Sequence, residues 1–382
     1  MRKFALILLL ALLATCLSGC NEANQAENLA YVIMFGVDLT EDEQIKLTVQ
    51  IPKISGSRSQ SGSEDPGNSE DLTFSATGKN FMEALDVLQW AVSRRLDLSQ
   101  IKLIVFSETL AKDEHFLTVA NDMMDIPRLY TAALLAVCSG TASEFIEQSK
   151  SIVGTRMATE LTAMFENYAE NGFIPNVTFA DVYYKTISIY SDPVSIYAEL
   201  SEGDESVEDI AQQTSLTLPE SLSNVEAETS LRNRYLGAAI FQEGVMIGTL
   251  TSRQYLFCKV LRGQRQTFTY SLGDETASLS TMGMPKITID TQSEPVRIQI
   301  DITFSLLPNN HPKSFEGLEE ALEQDLQDTI AFCQQMGAEP FQFAEIAARS
   351  FATIDQWRSY DWIRHFVQSD VDVNVNLRRE NL

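Results

Sequence analysis

Reactive patterns are almost missing from this sequence. Its only histidines are His115, His311 and His365, far apart in the chain and in polar surroundings. They form no H-E-x-x-H and no pair at ligand spacing, so no histidine-built metal site is read. No glycine-rich phosphate loop follows a strand-like run, and no G-x-S-x-G elbow appears. The "GKN" at 78–80 lacks the Walker spacing and marks a helix start. Carboxylates alone are plentiful. With 53 Asp and Glu, some pair must lie close in space, so an acid pair of the glycosidase kind weighs little against a solvated face. The reading is a chain that is not an enzyme and carries neither metal nor cofactor.

Basic charge is scarce too. Against those acids stand 28 Lys and Arg, which gives a formal net charge of −25. That excess argues against nucleic acid as a partner and against a chain lying flat on an anionic leaflet. Cysteine is sparse: beyond Cys16 and Cys20 only Cys138, Cys258 and Cys333 remain. Each stands alone in an apolar setting ("LLAVCSG", "QYLFCKVL", "IAFCQQM"), and an odd number without ligand spacing gives no disulfide framework and no metal site. They read as buried thiols behaving as small hydrophobes.

No apolar run is long enough to span a bilayer as a helix, which takes roughly 20 residues. The one candidate, Phe4 to Leu13 behind Arg2 and Lys3, has the layout of a secretory signal peptide. After it comes Leu17-Ser18-Gly19-Cys20, an apolar residue, two small ones and a cysteine. This resembles a bacterial lipobox. Leu17, Ser18 and Gly19 suit a peptidase that draws an extended chain into a narrow site. Cys20 is the side chain there that can take a diacylglycerol thioether, with palmitate as an acyl chain. By this reading 1–19 is a lipoprotein signal peptide, Cys16 is discarded with it, and several acyl chains on Cys20 anchor the mature protein firmly.

The mature chain is long enough for two or three domains. "AYVIMFGVDL" and "IKLTVQIP" read as a strand hairpin, and 55–71, which has no apolar residue, as an exposed loop. Phe81, Leu85, Leu88 and Val92 recur at helical spacing. "IKLIVFS" and "TAALLAVCS" read as buried strands with a helix over about 108–125 between them. Thr141 caps a helix through Lys150, another helix covers 155–170, and "VTFADVYYKTISIY" reads as strand. From Glu199 the chain turns acidic and Ser/Thr-rich, so 199–234 is read as a linker between a domain at 20–198 and one at 235–382. The second half holds a hairpin turning at Glu243-Gly244 and a helix capped by Thr251. Alternating strands follow in "KITID" and "VRIQIDITFSLL". A long helix carries Leu318, Leu322, Leu326, Ile330 and Cys333 inward, a shorter one spans 341–352, and the terminal strand is "VDVNVNLRR". Without a steady βαβ rhythm this is an α+β protein with largely antiparallel sheets in two to three subdomains.

An ordered set of segments resembles one family. The lipobox is followed by "LAYVIMFGVD", "KLTVQI" and "ATGKNFMEALDVLQWAVSRRLDLSQIKLIVFSETLAK", then by the "LGAAIFQEGVMIGTLT" hairpin, the "LEEALEQDLQDTI" helix and "VDVNVNLRR". Together they resemble the Ger(x)C family of spore germination lipoproteins. The resemblance implies a mixed fold of three subdomains with unusual topology. It also implies a non-catalytic C subunit of a nutrient germinant receptor, held by lipid on the outer face of the spore inner membrane of a Gram-positive spore former. The implied partners are integral-membrane A-type and B-type subunits. One departure is plain: family members usually carry a Trp-Asp-x-x-Glu-like segment after the lipidated cysteine, and here the chain reads "CNEANQAEN". The rival class is a substrate-binding lipoprotein of a nutrient uptake system.

Overall fold

The structure, a computed structural model, describes residues 28–52, 71–149, 157–171, 174–200, 233–264, 266–272, 275–307 and 317–379. Cys20 and its lipobox, the loop at 55–70 and nearly all of the acidic linker lie outside them.

The chain begins with β1 (Leu29–Tyr31), β2 (Met34–Leu39) and β3 (Ile45–Ile51). The run expected as one strand is broken at Val32–Ile33 because its halves serve different sheets. Val32 N donates to Asp97 O, while Ile33 N donates to Gln50 O. After β4 (Leu72–Gly78), Asn80 accepts from Glu83 N and opens α1 (Phe81–Ala91), and the Glu83 carboxylate accepts from Lys79 N. Then come β5 (Arg95–Asp97), β6 (Leu103–Ser107), α2 (Glu108–Ala111) and α3 (His115–Met124). The single helix expected at 108–125 is thus two, and Asp113 marks the break by accepting from His115 N. β7 (Leu134–Cys138), α4 (Ala142–Gln148), α5 (Met157–Asn171), α6 (Phe179–Thr186) and β8 (Val194–Leu200) complete the first half. α6 corrects the strand expected in "VTFADVYYKTISIY". Its β-branched and aromatic residues favour a strand, but Thr178 and Asp181 form a full capping box that starts a helix.

The second half runs β9 (Asn233–Gln242), β10 (Val245–Thr251), α7 (Ser252–Leu261), β11 (Thr267–Leu272), β12 (Glu275–Thr281), β13 (Lys286–Asp290) and β14 (Arg297–Leu306). It ends with α8 (Leu318–Met336), α9 (Phe343–Ala347), α10 (Ile354–Tyr360), α11 (Trp362–Val367) and β15 (Asp370–Arg379). The β9–β10 turn, the Thr251 cap, the α8 stripe and the terminal strand stand where the pattern put them. The helix expected over 341–352 shortens to α9 and a 3-10 turn. The β11–β12 hairpin and α10 and α11 carry no pattern strong enough to announce them.

Eight strands form one mixed sheet, ordered β10-β9-β8-β7-β6-β2-β3-β4. The middle four, β8, β7, β6 and β2, are parallel, and each flank is antiparallel. Both faces are covered, so β6 and β7 read as continuous apolar runs. Phe35, Ile104, Phe106, Leu135 and Val137 meet α1, α3 and α6 on one face. Met34, Leu103, Val105, Ala136 and Cys138 meet α4 and α5 on the other. In the second sheet β14 is central: β15 runs parallel along one edge, and β12 and β13 share the other end to end.

The large sheet runs across the boundary read at 199–234. β9 pairs with β8 from the first half, and its two faces serve different cores. Ala239 and Phe241 belong to the core of α1, α3 and α6, whereas Ala238 and Ile240 join α7, α8 and the second sheet. Among the described residues no helix is long and apolar enough to cross a membrane.

Candidate functional site

Where the two halves meet, the chain buries two carboxylates. α8 stops at Gly337, whose φ of 76° lets the backbone turn sharply back. The turn leads into Glu339, which is 1% exposed. Its Oε1 accepts from Phe341 N at 2.9 Å and Phe343 N at 3.0 Å, and its Oε2 from Ala344 N at 3.1 Å. One side chain therefore ties the loop to the start of α9. Asp192, on the segment entering β8, reaches the same turn. Its Oδ2 accepts from Glu339 N at 2.7 Å, and its own N–H donates to Glu339 O at 3.3 Å. Gln242, at the end of β9, donates from Nε2 to Gly337 O at 2.8 Å and to Asp192 Oδ2 at 3.5 Å.

These groups line a cavity of about 410 Å³ together with Tyr190, Trp357 and Trp362 and the charged Lys185, Arg358 and Asp361. Tyr190 and Trp357 stack at 6.3 Å, and Trp357 Nε1 donates to Ile189 O at 3.2 Å. The Trp362 indole N–H is buried with no hydrogen-bond partner among the described residues. Burial pushes Asp192 up to about 6, against the N–H of Glu339 that favours its charge. Burial likewise pushes Glu339 up to about 8, opposed by the N–H groups of Phe343 and Ala344. Lys185 is driven down by burial and by Arg262.

The arrangement braces the two halves against each other. The lining has no histidine or cysteine among the described residues. No group of three His, Cys, Asp or Glu there is placed to hold a metal. A third buried carboxylate, elsewhere in the fold, has the same bracing character: Asp38 accepts from Ala142 N at 2.6 Å and Ser143 N at 3.0 Å, fastening α4 to the end of β2.

Of the residues singled out from sequence, Cys20, Leu17, Ser18 and Gly19 lie outside the described residues. Cys138, Cys258 and Cys333 are buried free thiols, and Cys258 and Cys333 hydrogen-bond between α7 and α8. Sequence reasoning missed Asp192, Gln242 and Glu339. The one local signal is that each acid precedes a proline, Pro193 and Pro340, which holds it extended.

Comparison with known proteins gives consistent matches. A family model described as spore germination protein N-terminal domain matches residues 22–200, and one described as spore germination B3/GerAC like, C-terminal, matches 236–381. Spore germination protein KC of Bacillus subtilis (strain 168) is 30% identical over 148 residues, which is 38% of this chain and 36% of that protein, little more than a third of the relative's length. The putative spore germination protein YfkR of the same organism is 22% identical over 376 residues, 95% of this chain and 92% of that one. The crystal structure of the GerBC protein aligns with a TM-score of 0.49 at 15% identity, covering 91% of this chain and 97% of that chain.

Proposed function

The chain belongs to the Ger(x)C, or GerAC-like, family of spore germination proteins, and on that premise we propose that it is the lipid-anchored, non-catalytic C subunit of a nutrient germinant receptor. The observation that carries the reading is the pair of family matches at 22–200 and 236–381, the first of which begins two residues beyond Cys20. The mature chain then starts at Cys20, with Leu17, Ser18 and Gly19 as the lipobox. Its place is the outer face of the spore inner membrane, and its partners are integral-membrane A-type and B-type subunits. The division into 20–198, an acidic linker at 199–234 and 235–382 is part of the same proposal.

The Asp192–Glu339 join supports a bracing role, because both carboxylates are engaged by main-chain N–H groups. A receptor subunit that must transmit a signal needs its halves to move together, and this join links them.

The test is Cys20→Ala in a strain that sporulates with no other copy of the gene. The expected result is a protein released from membranes or left unprocessed, spores that respond poorly to nutrient, and unchanged nutrient uptake by growing cells. An unmodified mature N-terminus downstream of Cys20, seen by mass spectrometry, overturns the anchor. Impaired uptake with normal germination overturns the receptor reading in favour of a substrate-binding lipoprotein.

A further inference from the structure

The carboxylate of Asp192 is only half used. Its Oδ2 accepts from Glu339 N and from Gln242 Nε2. Its Oδ1 accepts from no described residue, although Asp192 is only 9% exposed. Among the described residues, the side-chain polar atoms that are both enclosed and unpartnered are Gln50 Oε1, Ser305 Oγ and Trp362 Nε1. Asp192 Oδ1 is unpartnered but not enclosed, so it meets open space. The space that Asp192 lines is the cavity of about 410 Å³ between the two halves.

No basic group answers this oxygen. The charged neighbours that act with Asp192 are Glu243 and Glu339, both acids. Lys185 lies on the same lining, but the charges that act on its ammonium are Arg262, Asp181 and Glu345. Arg262 acts on Glu339 too, yet it is not part of the lining, and its Nε donates to Pro340 O at 2.6 Å. Arg358 is exposed on α10. The lining as a whole sets Asp192, Glu243, Glu339 and Asp361 against Lys185 and Arg358. With Glu339 protonated at neutral pH, three acids still face two bases.

The rest of the wall is apolar, with Ile189, Pro193 and Ile363 beside Tyr190, Trp357 and Trp362. A cavity of this size, mostly apolar with a few convergent polar groups, is the usual form of a small-molecule site. Aromatic walls and an unanswered carboxylate oxygen both favour positive charge. No three His, Cys, Asp or Glu of the described residues are placed to hold a metal ion, so the lone oxygen suits an N–H donor.

We propose that this cavity binds a small organic cation, whose ammonium donates to Asp192 Oδ1 while its apolar body lies against Tyr190, Trp357 and Trp362. The proposal goes beyond the receptor reading, which gives this chain no ligand of its own, and it does not depend on the lipid. An occupant sits on the join of Asp192 with Glu339 and stiffens it.

The experiment uses the full chain in a non-ionic detergent at neutral pH. Benzylammonium is the probe, with benzyl alcohol and benzoate as its neutral and anionic counterparts. Binding is followed by the NMR signals of the Gln242 side-chain amide and the Glu339 N–H, which both donate to Asp192. The expected result is a saturable shift with benzylammonium and affinity at least about ten-fold weaker for the other two, as a charged hydrogen bond predicts. Asp192→Asn keeps an oxygen for Glu339 N and the shape of the wall. It should weaken benzylammonium by at least about ten-fold and leave benzyl alcohol unchanged. Asp361→Asn, at an exposed acid of the same lining, should change benzylammonium by less than about two-fold. Equal affinity for benzylammonium and benzyl alcohol, or unchanged binding in Asp192→Asn, overturns the proposal. Equal losses in the two variants overturn it as well, because the effect is then one of net charge. Tighter binding of benzoate makes this an anion site built on Lys185 and Arg358, and the cation proposal fails. It fails too if benzylammonium gives no saturable shift.

Discussion

Asp192 and Glu339 bind each other through main chain and side chain at once: Asp192 N donates to Glu339 O, and Glu339 N donates to Asp192 Oδ2. They are far apart in sequence, one before β8 and the other after α8. The reciprocal pair fastens the edge of the first sheet's parallel strands to the hinge between α8 and α9. It does so with charges held in an unfavourable medium, which makes the join sensitive to pH.

The sign follows from the burial of Asp192. Its folded value is pushed from 3.8 up to about 6, so the folded chain keeps its proton longer than the unfolded chain does. Stability from this group is full below about pH 4 and falls as pH rises through 6. Glu339, pushed from 4.5 to about 8, extends the fall to higher pH. Asp192→Asn keeps an oxygen for Glu339 N and loses the charge. The variant should match the native chain at pH 4 and exceed it at pH 8 by about 2 kcal/mol. Thermal melting at both values checks this, and parallel pH profiles would show that Asp192 ionises without cost.

Gly237 sets a second limit. Its φ is 147°, and a Cβ there would lie 2.1 Å from Leu250 O. The position sits at the register shift between β8 and β9, where the strand must also stay paired with β10. Gly237→Ala should cost at least about 3 kcal/mol by strain and displaced backbone. Gly283→Ala is the control. Its φ is 74°, but nothing lies within 4 Å, so the cost should be about 1–2 kcal/mol. Similar melting temperatures for the two would mean that β9 and β10 can part without loss.

The three described cysteines should resist alkylation in the folded chain. Cys138, Cys258 and Cys333 are fully buried; burial raises the thiol of Cys138, and the neighbouring Cys258 thiol, then burial, raises that of Cys333, so little thiolate is present at either. Peptide mapping after iodoacetamide should find them labelled only in denaturant. Rapid labelling of Cys333 without denaturant would show that α7 and α8 separate readily.

Periodic elements were legible and long-range joins were not. In α8 the inward residues Leu318, Leu322, Leu326, Ile330 and Cys333 repeat so regularly that the helix and its face follow from spacing. In β14 the alternation of Ile298, Ile300, Ile302 and Phe304 with polar residues does the same. α10 had no such stripe, because Trp357 alone is buried from it. α6 was misread because its composition favours strand and its cap favours helix, and the cap won. The pairing of β9 with β8 depends on partners on opposite sides of the acidic segment, which no local pattern records. Asp192 and Glu339 looked like two more surface acids among many. What makes them special is a set of N–H donors that only the folded backbone assembles.

The most regular strand gives the sharpest test. β15 is parallel to β14 along its whole length, with Val375 opposite Ile302 and Asn374 opposite Asp301. Its other edge is closed by α8: Val375 N donates to Glu323 Oε1 at 2.9 Å and Leu377 N to Glu319 Oε1 at 2.7 Å. Two carboxylates one helical turn apart thus occupy N–H groups that an open edge would offer to another chain. Val375 is 4% exposed in the core shared with α8. Val375→Asp buries an unpaired carboxylate there, at a cost of at least about 3 kcal/mol, a large share of a total near 5–15 kcal/mol. Asn374 is exposed, but its Nδ2 donates to Asp301 Oδ1 at 3.1 Å. Asn374→Asp turns that bond into a like-charge pair and should cost up to about 1 kcal/mol, relieved by salt. Asn376→Asp, exposed and opposite Thr303, should be silent. Thermal melting of the three variants should follow that order, with salt narrowing only the second gap. Equal melting temperatures would mean that β15 is a frayed end, and that the carboxylates of Glu319 and Glu323 close nothing.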